Sequence, residues 1–245
     1  LNMAFLQNRA TEWVPQDLQP FVLFVFVLVA VARFFYVLRP KYRVFKKVPS
    51  EDRFNKPITR LWNTVRIAIF QAKMFKEAKS GWMHAFIFWG FFVLLARALW
   101  FFFIGFFPTI ELGMGEFELF YVLLKDSFIV FVTFAASYAL FRRLILRPER
   151  LTLTTEGIVI LLLILIIMIS DTLFDASWQA RNPQIPLSGI WIGSLVAPIL
   201  KVFSAETVIH LHNFAYWAHV ICILYFLTLL PGSKHLHIIT SIPNV

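Results

Sequence analysis

Five apolar runs, at 21–38, 82–106, 117–140, 155–173 and 207–230, are separated by clusters of charged, proline and glycine residues. A hydrocarbon layer about 30 Å thick takes about 20 helical residues to cross, so each run predicts a membrane-spanning helix and the chain an all-α, five-helix bundle. Between the first two runs, the segment PITRLWNTVRIAIFQAKMFKEAK sets Leu61, Val65, Ile69 and Phe70 against Arg60, Arg66, Lys73 and Lys76. That is the period of a basic amphipathic helix, either lying on anionic headgroups or offering a docking surface to a soluble electron-transfer partner. Residues 107–116, with Pro108, Gly113 and Gly115, predict a turn. Thr154 is placed to cap the fourth helix, and Asp171 and Asp175 to close it. Within the loop expected over 176–204, the apolar stretch IWIGSLVAPIL is too short to cross and predicts an interfacial segment.

Composition agrees with this pattern. Of the 245 residues 59% are hydrophobic, and the mean hydropathy is +0.73, outside the range of soluble domains. A net charge of +9 would suggest nucleic acid in a soluble chain. Here the bases flank apolar runs, so the expected partner is membrane lipid and no nucleic acid. Lys and Arg crowd the loops after runs one and three and the tail after run five, and almost none lie in the lead or the loops after runs two and four. The positive-inside rule therefore places the amino end outside and the carboxyl end in the cytoplasm. Cys222 is the single cysteine and lies within an apolar run, so neither a disulfide nor an iron–sulfur cluster held by this chain alone is expected.

The candidate chemistry is in the histidines. Five of six, His210, His212, His219, His235 and His237, fall in 207–244, and His84 lies near the start of run two. Ionisable groups in hydrocarbon mark function by default. On a continuous helix, intervals of seven and eighteen residues return His212, His219 and His237 to one face, with rises of about 10 Å and about 27 Å. Such separations exclude a single metal cage but suit planar cofactors stacked along a bundle, each held by histidines from two helices. Ligands of one haem share a depth, which pairs His84 with His237; His235 would point about 160° away and is the poorer candidate. His219 lies deeper. Ten residues on from His84 the chain offers Leu94, which cannot ligate iron, and Met168 on the fourth run is a candidate thioether partner. Alternatively, His212 or His219 bonds a quinone carbonyl. Arg97, Lys125, Asp126, Asp171 and Asp175 are candidates for proton transfer or quinone contact, and structural ion pairing is the alternative for each.

The stretch HVICILYFLTLLPGSKHLHIITSIP, with His219, Pro231, Ser233, Lys234, His237 and Pro243, resembles the cytochrome b gamma subunit of respiratory nitrate reductase. RPERLTLTTEGIVILLLILI at 147–166 and His84 extend the likeness. It implies a single cytochrome b domain over 1–245 in a prokaryotic cytoplasmic membrane, five helices with the amino end outside, and b haems between spans two and five. Leu94 departs from the family, standing where its second span-two ligand would be. Trp217, His212 and the SKHLH motif are more similar to the membrane domains of heterodisulfide-reductase-type proteins, including electron-transfer-flavoprotein:menaquinone oxidoreductases. In several of these a cytoplasmic iron–sulfur domain follows, and this chain is expected to continue so beyond Val245.

The resulting expectation is part of a quinone-linked oxidoreductase. A haem b domain, with one haem or two, would link menaquinone or another quinone to a cytoplasmic iron–sulfur protein or domain, with electron-transfer flavoprotein as a further partner. The rivals are a proton-coupled transporter and a non-redox anchor for a peripheral complex. No HExxH motif supports metal-dependent hydrolysis.

Overall fold

The structure, a computed structural model, describes residues 10–49, 55–72, 74–76, 78–110, 117–148, 154–184 and 191–240. Parts of the expected lead, of the turn at 107–116 and of the loop at 176–204 lie outside the described residues, as do Lys73 and Pro243. Five helices are long and apolar enough to cross a membrane. They are α1 (Gln19–Phe45), α3 (Ala78–Phe106), α4 (Phe117–Phe141), α5 (Thr155–Arg181) and α7 (Ala205–Leu229). Shorter pieces are α2 (Pro57–Asn63), α6 (Trp191–Leu200) and α8 (His237–Thr240). The protein is an all-helical membrane bundle, and the described residues contain no strand.

The helices close a ring in which α1 touches α3 and α7, α3 touches α4, α4 touches α5, and α5 touches α7; α3 also reaches α7 across the middle. Leu23 and Ala30 of α1, Phe101 and Ile104 of α3, Phe174 of α5 and Ala215, Tyr216, Val220 and Leu224 of α7 form the main apolar cluster. On the outside, Phe21, Phe24, Leu28, Val29 and Phe35 of α1 are each more than half exposed, the surface a lipid layer would cover. Where α1, α3 and α7 meet, Gln19 Nε2 donates to the carbonyls of Gly105 at 3.0 Å and Ile104 at 3.3 Å. A Cβ on Gly105 would collide with the Tyr216 hydroxyl and with Leu23. Gly105→Ala is therefore expected to destabilise by about 1–3 kcal/mol through overpacking, read as a lowered thermal midpoint in detergent.

Several boundaries differ from the expectation, each for a local reason. Helix α5 does not close at Asp171 and Asp175 but continues to Arg181, because both carboxylates turn inward to buried cations. Thr154 does cap it, accepting from the Gly157 amide at 3.3 Å. The amphipathic segment is helical from Pro57 through a π-helical turn at Thr64–Ile69, then breaks at Gln71, whose φ of 54° is left-handed. The apolar stretch in the long loop is the helix α6. It packs against α4 and α5, burying Ala197 and placing Leu200 in a cluster with Ala176 and Val208.

The largest departure is at the end of α7. A 3₁₀ turn at Leu230–Gly232 is followed by an extended Ser233, with φ −106° and ψ 172°, a second 3₁₀ turn at Lys234–Leu236, and then α8. Pro231 lacks the amide that a continuing helix needs. Ser233 starts the new turn by accepting from the His235 amide at 3.0 Å. The single helical face expected to join His219 and His237 is therefore interrupted.

Candidate functional site

At the end of the bundle where α3 starts and α7 finishes, the rings of His84 and His237 face each other. Their centres are 6.4 Å apart and their planes are inclined by 31°. His84 is half-buried in the second turn of α3, and its buried Nδ1 has no hydrogen-bond partner. His237 is exposed, and its Nδ1 donates to the Lys234 carbonyl at 2.8 Å, which fixes the tautomer and leaves Nε2 free to accept or coordinate. The break at Ser233 presents His237 toward His84. The neighbouring His235 does not compete: its Nδ1 lies 3.4 Å from Glu156 Oε1 on α5. Burial pushes the His235 imidazole below its ordinary value, and the Glu156 carboxylate opposes that. Glu156 Oε1 also accepts the Lys234 amide at 3.2 Å, tying this end of the chain to the first turn of α5.

His212 and His219 are buried in α7 and face serines of α5. Ser177 Oγ is 3.1 Å from His212 Nδ1, and Ser170 Oγ is 3.1 Å from His219 Nδ1. Both pairs are seven residues apart along antiparallel helices, so the two serine–histidine rungs repeat at one helical interval. Each imidazole stacks on a phenylalanine: His212 on Phe174 at 4.2 Å and His219 on Phe101 at 4.1 Å. Phe101 and Phe174 touch at 4.8 Å, giving a column of four rings. The α3 residue against His219 is thus Phe101. Leu94 and Met168 pack in another cluster, with Ile129 and Val132. His210 lies outside the column and accepts from Trp13 Nε1 at 3.1 Å.

All five predicted charged residues meet in one buried network beside this column. Arg97 Nε donates to Asp171 Oδ1 at 2.7 Å, and Arg97 Nη2 pairs with Asp175 Oδ1. Lys125 Nζ lies 2.6 Å from Asp175 Oδ2, 2.8 Å from Asp126 Oδ1 and 3.7 Å from Asp171 Oδ2. Asp126 Oδ2 accepts the Ile192 amide at 3.0 Å, so α6 is tied to the network by its first turn. The Arg97 guanidinium also sits 4.7 Å above the Phe101 ring, joining the charges to the histidine column. Buried ions in this number persist only when each finds partners. Nearby, an apolar groove of about 590 Å³ between α4, α5 and α6 is lined by residues including Ile129, Thr133, Met168, Thr172 and Ile192.

The residues missed from the sequence are Ser170, Ser177, Phe101 and Phe174. The matching seven-residue intervals 170–177 and 212–219 were the available signal. No three His, Cys, Asp or Glu side chains converge as a metal cage among the described residues.

No family model matches the chain, and no solved structure matches it significantly. Two curated proteins do. It is 25% identical over 265 aligned residues to the EtfAB:quinone oxidoreductase of Syntrophomonas wolfei, covering 97% of this chain and 34% of that one. It is likewise 25% identical over 231 aligned residues to the probable iron-sulfur-binding oxidoreductase FadF of Bacillus subtilis, covering 91% and 32%. The chain therefore spans about a third of the length of these relatives. The comparisons relate it distantly to bacterial oxidoreductases and, with the membrane bundle, are consistent with a membrane electron-transfer role.

Proposed function

We propose that the chain is a haem b electron-transfer domain in a prokaryotic cytoplasmic membrane, connecting a quinone, with menaquinone as the expected species, to a cytoplasmic iron–sulfur protein or domain. The observation that carries this reading is the opposed pair His84 and His237 on separate helices at one end of the bundle. His84 and His237, one imidazole from each of two helices, would hold the haem iron. Their rings are neighbours at 6.4 Å, and the orphaned Nδ1 of His84 is an unused polar atom in the same place. When bound there, a haem supplies one-electron redox chemistry. The chain's own part is ligation by His84 and His237, orientation of His237 by the Lys234 carbonyl, and positioning of that segment by Glu156.

Positive charge near this end, including Arg142, Arg143 and Lys234, supports a cytoplasmic position and suits an acidic redox partner. The names of the two relatives support the quinone and iron–sulfur links, and the first supports electron-transfer flavoprotein as a further partner. His212 and His219, each oriented by a serine, are the proposed groups for a quinone carbonyl or its proton. The groove beside Ile192 has the volume of a small-molecule site and the apolar lining an isoprenoid tail requires.

The test is a reduced-minus-oxidised optical spectrum with a pyridine haemochrome assay on the purified protein. The expected result is a b-type spectrum with one haem per chain. A cofactor-replete preparation without visible absorbance would overturn the reading.

A further inference from the structure

The chain ahead of α1 enters the end of the bundle opposite His84 and His237. Ala10 and Thr11 are 1% and 0% exposed although they precede the first spanning helix. Ala10 belongs to the main apolar cluster, with Phe174 and Tyr216, and Val14 packs against it. Asn213, itself fully buried, holds this segment in place. Its Oδ1 accepts the Thr11 hydroxyl at 2.8 Å and the Glu12 amide, while its Nδ2 donates to the Ile209 carbonyl of its own helix at 2.8 Å. Nearer the rim, Trp13 Nε1 donates to His210 Nδ1 at 3.1 Å, and Arg181 Nη2 pairs with Glu12 Oε1 at 2.7 Å. Asn213 lies eight residues into α7, about 12 Å from its start, so the segment fills the mouth of the bundle rather than crossing its rim.

A buried amide side chain is costly unless its polar atoms are paired. Both donors to Asn213 Oδ1 among the described residues come from this segment, so withdrawing it would strand that oxygen in an apolar mouth. The segment also covers one end of the histidine column. His212 immediately precedes Asn213, and Ser177 lies one turn before Arg181 on α5; both are buried. We propose that residues 10–14 are a plug, latched by Asn213, that closes this end of the bundle to water and cuts the Ser177–His212 rung off from the aqueous phase there. Protons exchanged with a quinone at His212 must then arrive from another direction. That consequence rests on the function proposed above, whereas the plug does not.

Cysteine labelling in lipid nanodiscs tests the plug without reference to haem or quinone. The reagent is a charged methanethiosulfonate, which reacts only where water reaches. In a Cys222→Ala chain, Ser177→Cys is expected to react at least about tenfold more slowly than Gln184→Cys, an exposed position just past the same end of α5. Releasing the plug from its own side, by Thr11→Val with Glu12→Ala, is expected to speed the reaction at Ser177→Cys by about tenfold and to leave Gln184→Cys unchanged. Asn213→Ala, which removes the latch from the helix side, should do the same. Native Cys222, further along α7, separates release from general loosening: with Ser177 intact, its rate is expected to be equal with and without the plug substitutions. Labelling of Ser177→Cys at the Gln184→Cys rate in the intact chain would overturn the proposal, as would a slow rate that neither release alters or a parallel rise at Cys222.

Discussion

A His84→Ala variant is expected to be purified with its haem content reduced at least tenfold, and His237→Ala likewise, while His235→Ala retains it. Removing a group that merely orients a ligand already costs about 10–100-fold in affinity, and these two residues are the proposed ligands themselves. The pyridine haemochrome assay reads the result directly. Both rings lie at the end of the bundle, away from the main apolar cluster, so truncation removes little packing, and circular dichroism should show an unchanged helical content. His212→Ala and His219→Ala are expected to keep the haem and to lower quinone-dependent electron transfer. If His219→Ala lost haem while His84→Ala did not, the pairing proposed here would be wrong.

The second large effect is on stability. Asp175→Asn is expected to destabilise the bundle by about 3–5 kcal/mol, the usual cost of breaking a buried ion pair from one side. Asp175 receives Arg97 on one oxygen and Lys125 on the other. An asparagine offers one acceptor only and points its amide at whichever cation remains. Thermal unfolding in nanodiscs measures the loss, and a midpoint equal to that of the wild type would refute the central place given to Asp175.

The five spans were legible because lipid imposes continuous apolar runs, and the proximity of His84 to His237 followed from counting crossings. The end of α5 was not legible. Charges usually mark the limit of a span, and nothing local to Asp171 and Asp175 reveals that their partners are Arg97, 74 residues away in the sequence from Asp171, and Lys125, 50 residues away from Asp175. The grouping of five ionisable residues into one network is a tertiary fact. So is Phe101 beside His219: regular counting along α3 from His84 points to Leu94, whereas the tilt and phase of packed helices bring in a residue seven further on. The break at Ser233 was foreshadowed by Pro231 and Gly232, but its direction depends on Glu156, a residue of another helix.

That attachment has a mechanical consequence. Bilayers of different thickness make spanning helices tilt to match their apolar length to the surrounding lipid. His237 is separated from α7 by the extended Ser233 and fastened through Lys234 to the first turn of α5. A change in the slope of α7 is therefore expected to be taken up at Ser233 before it reaches His237.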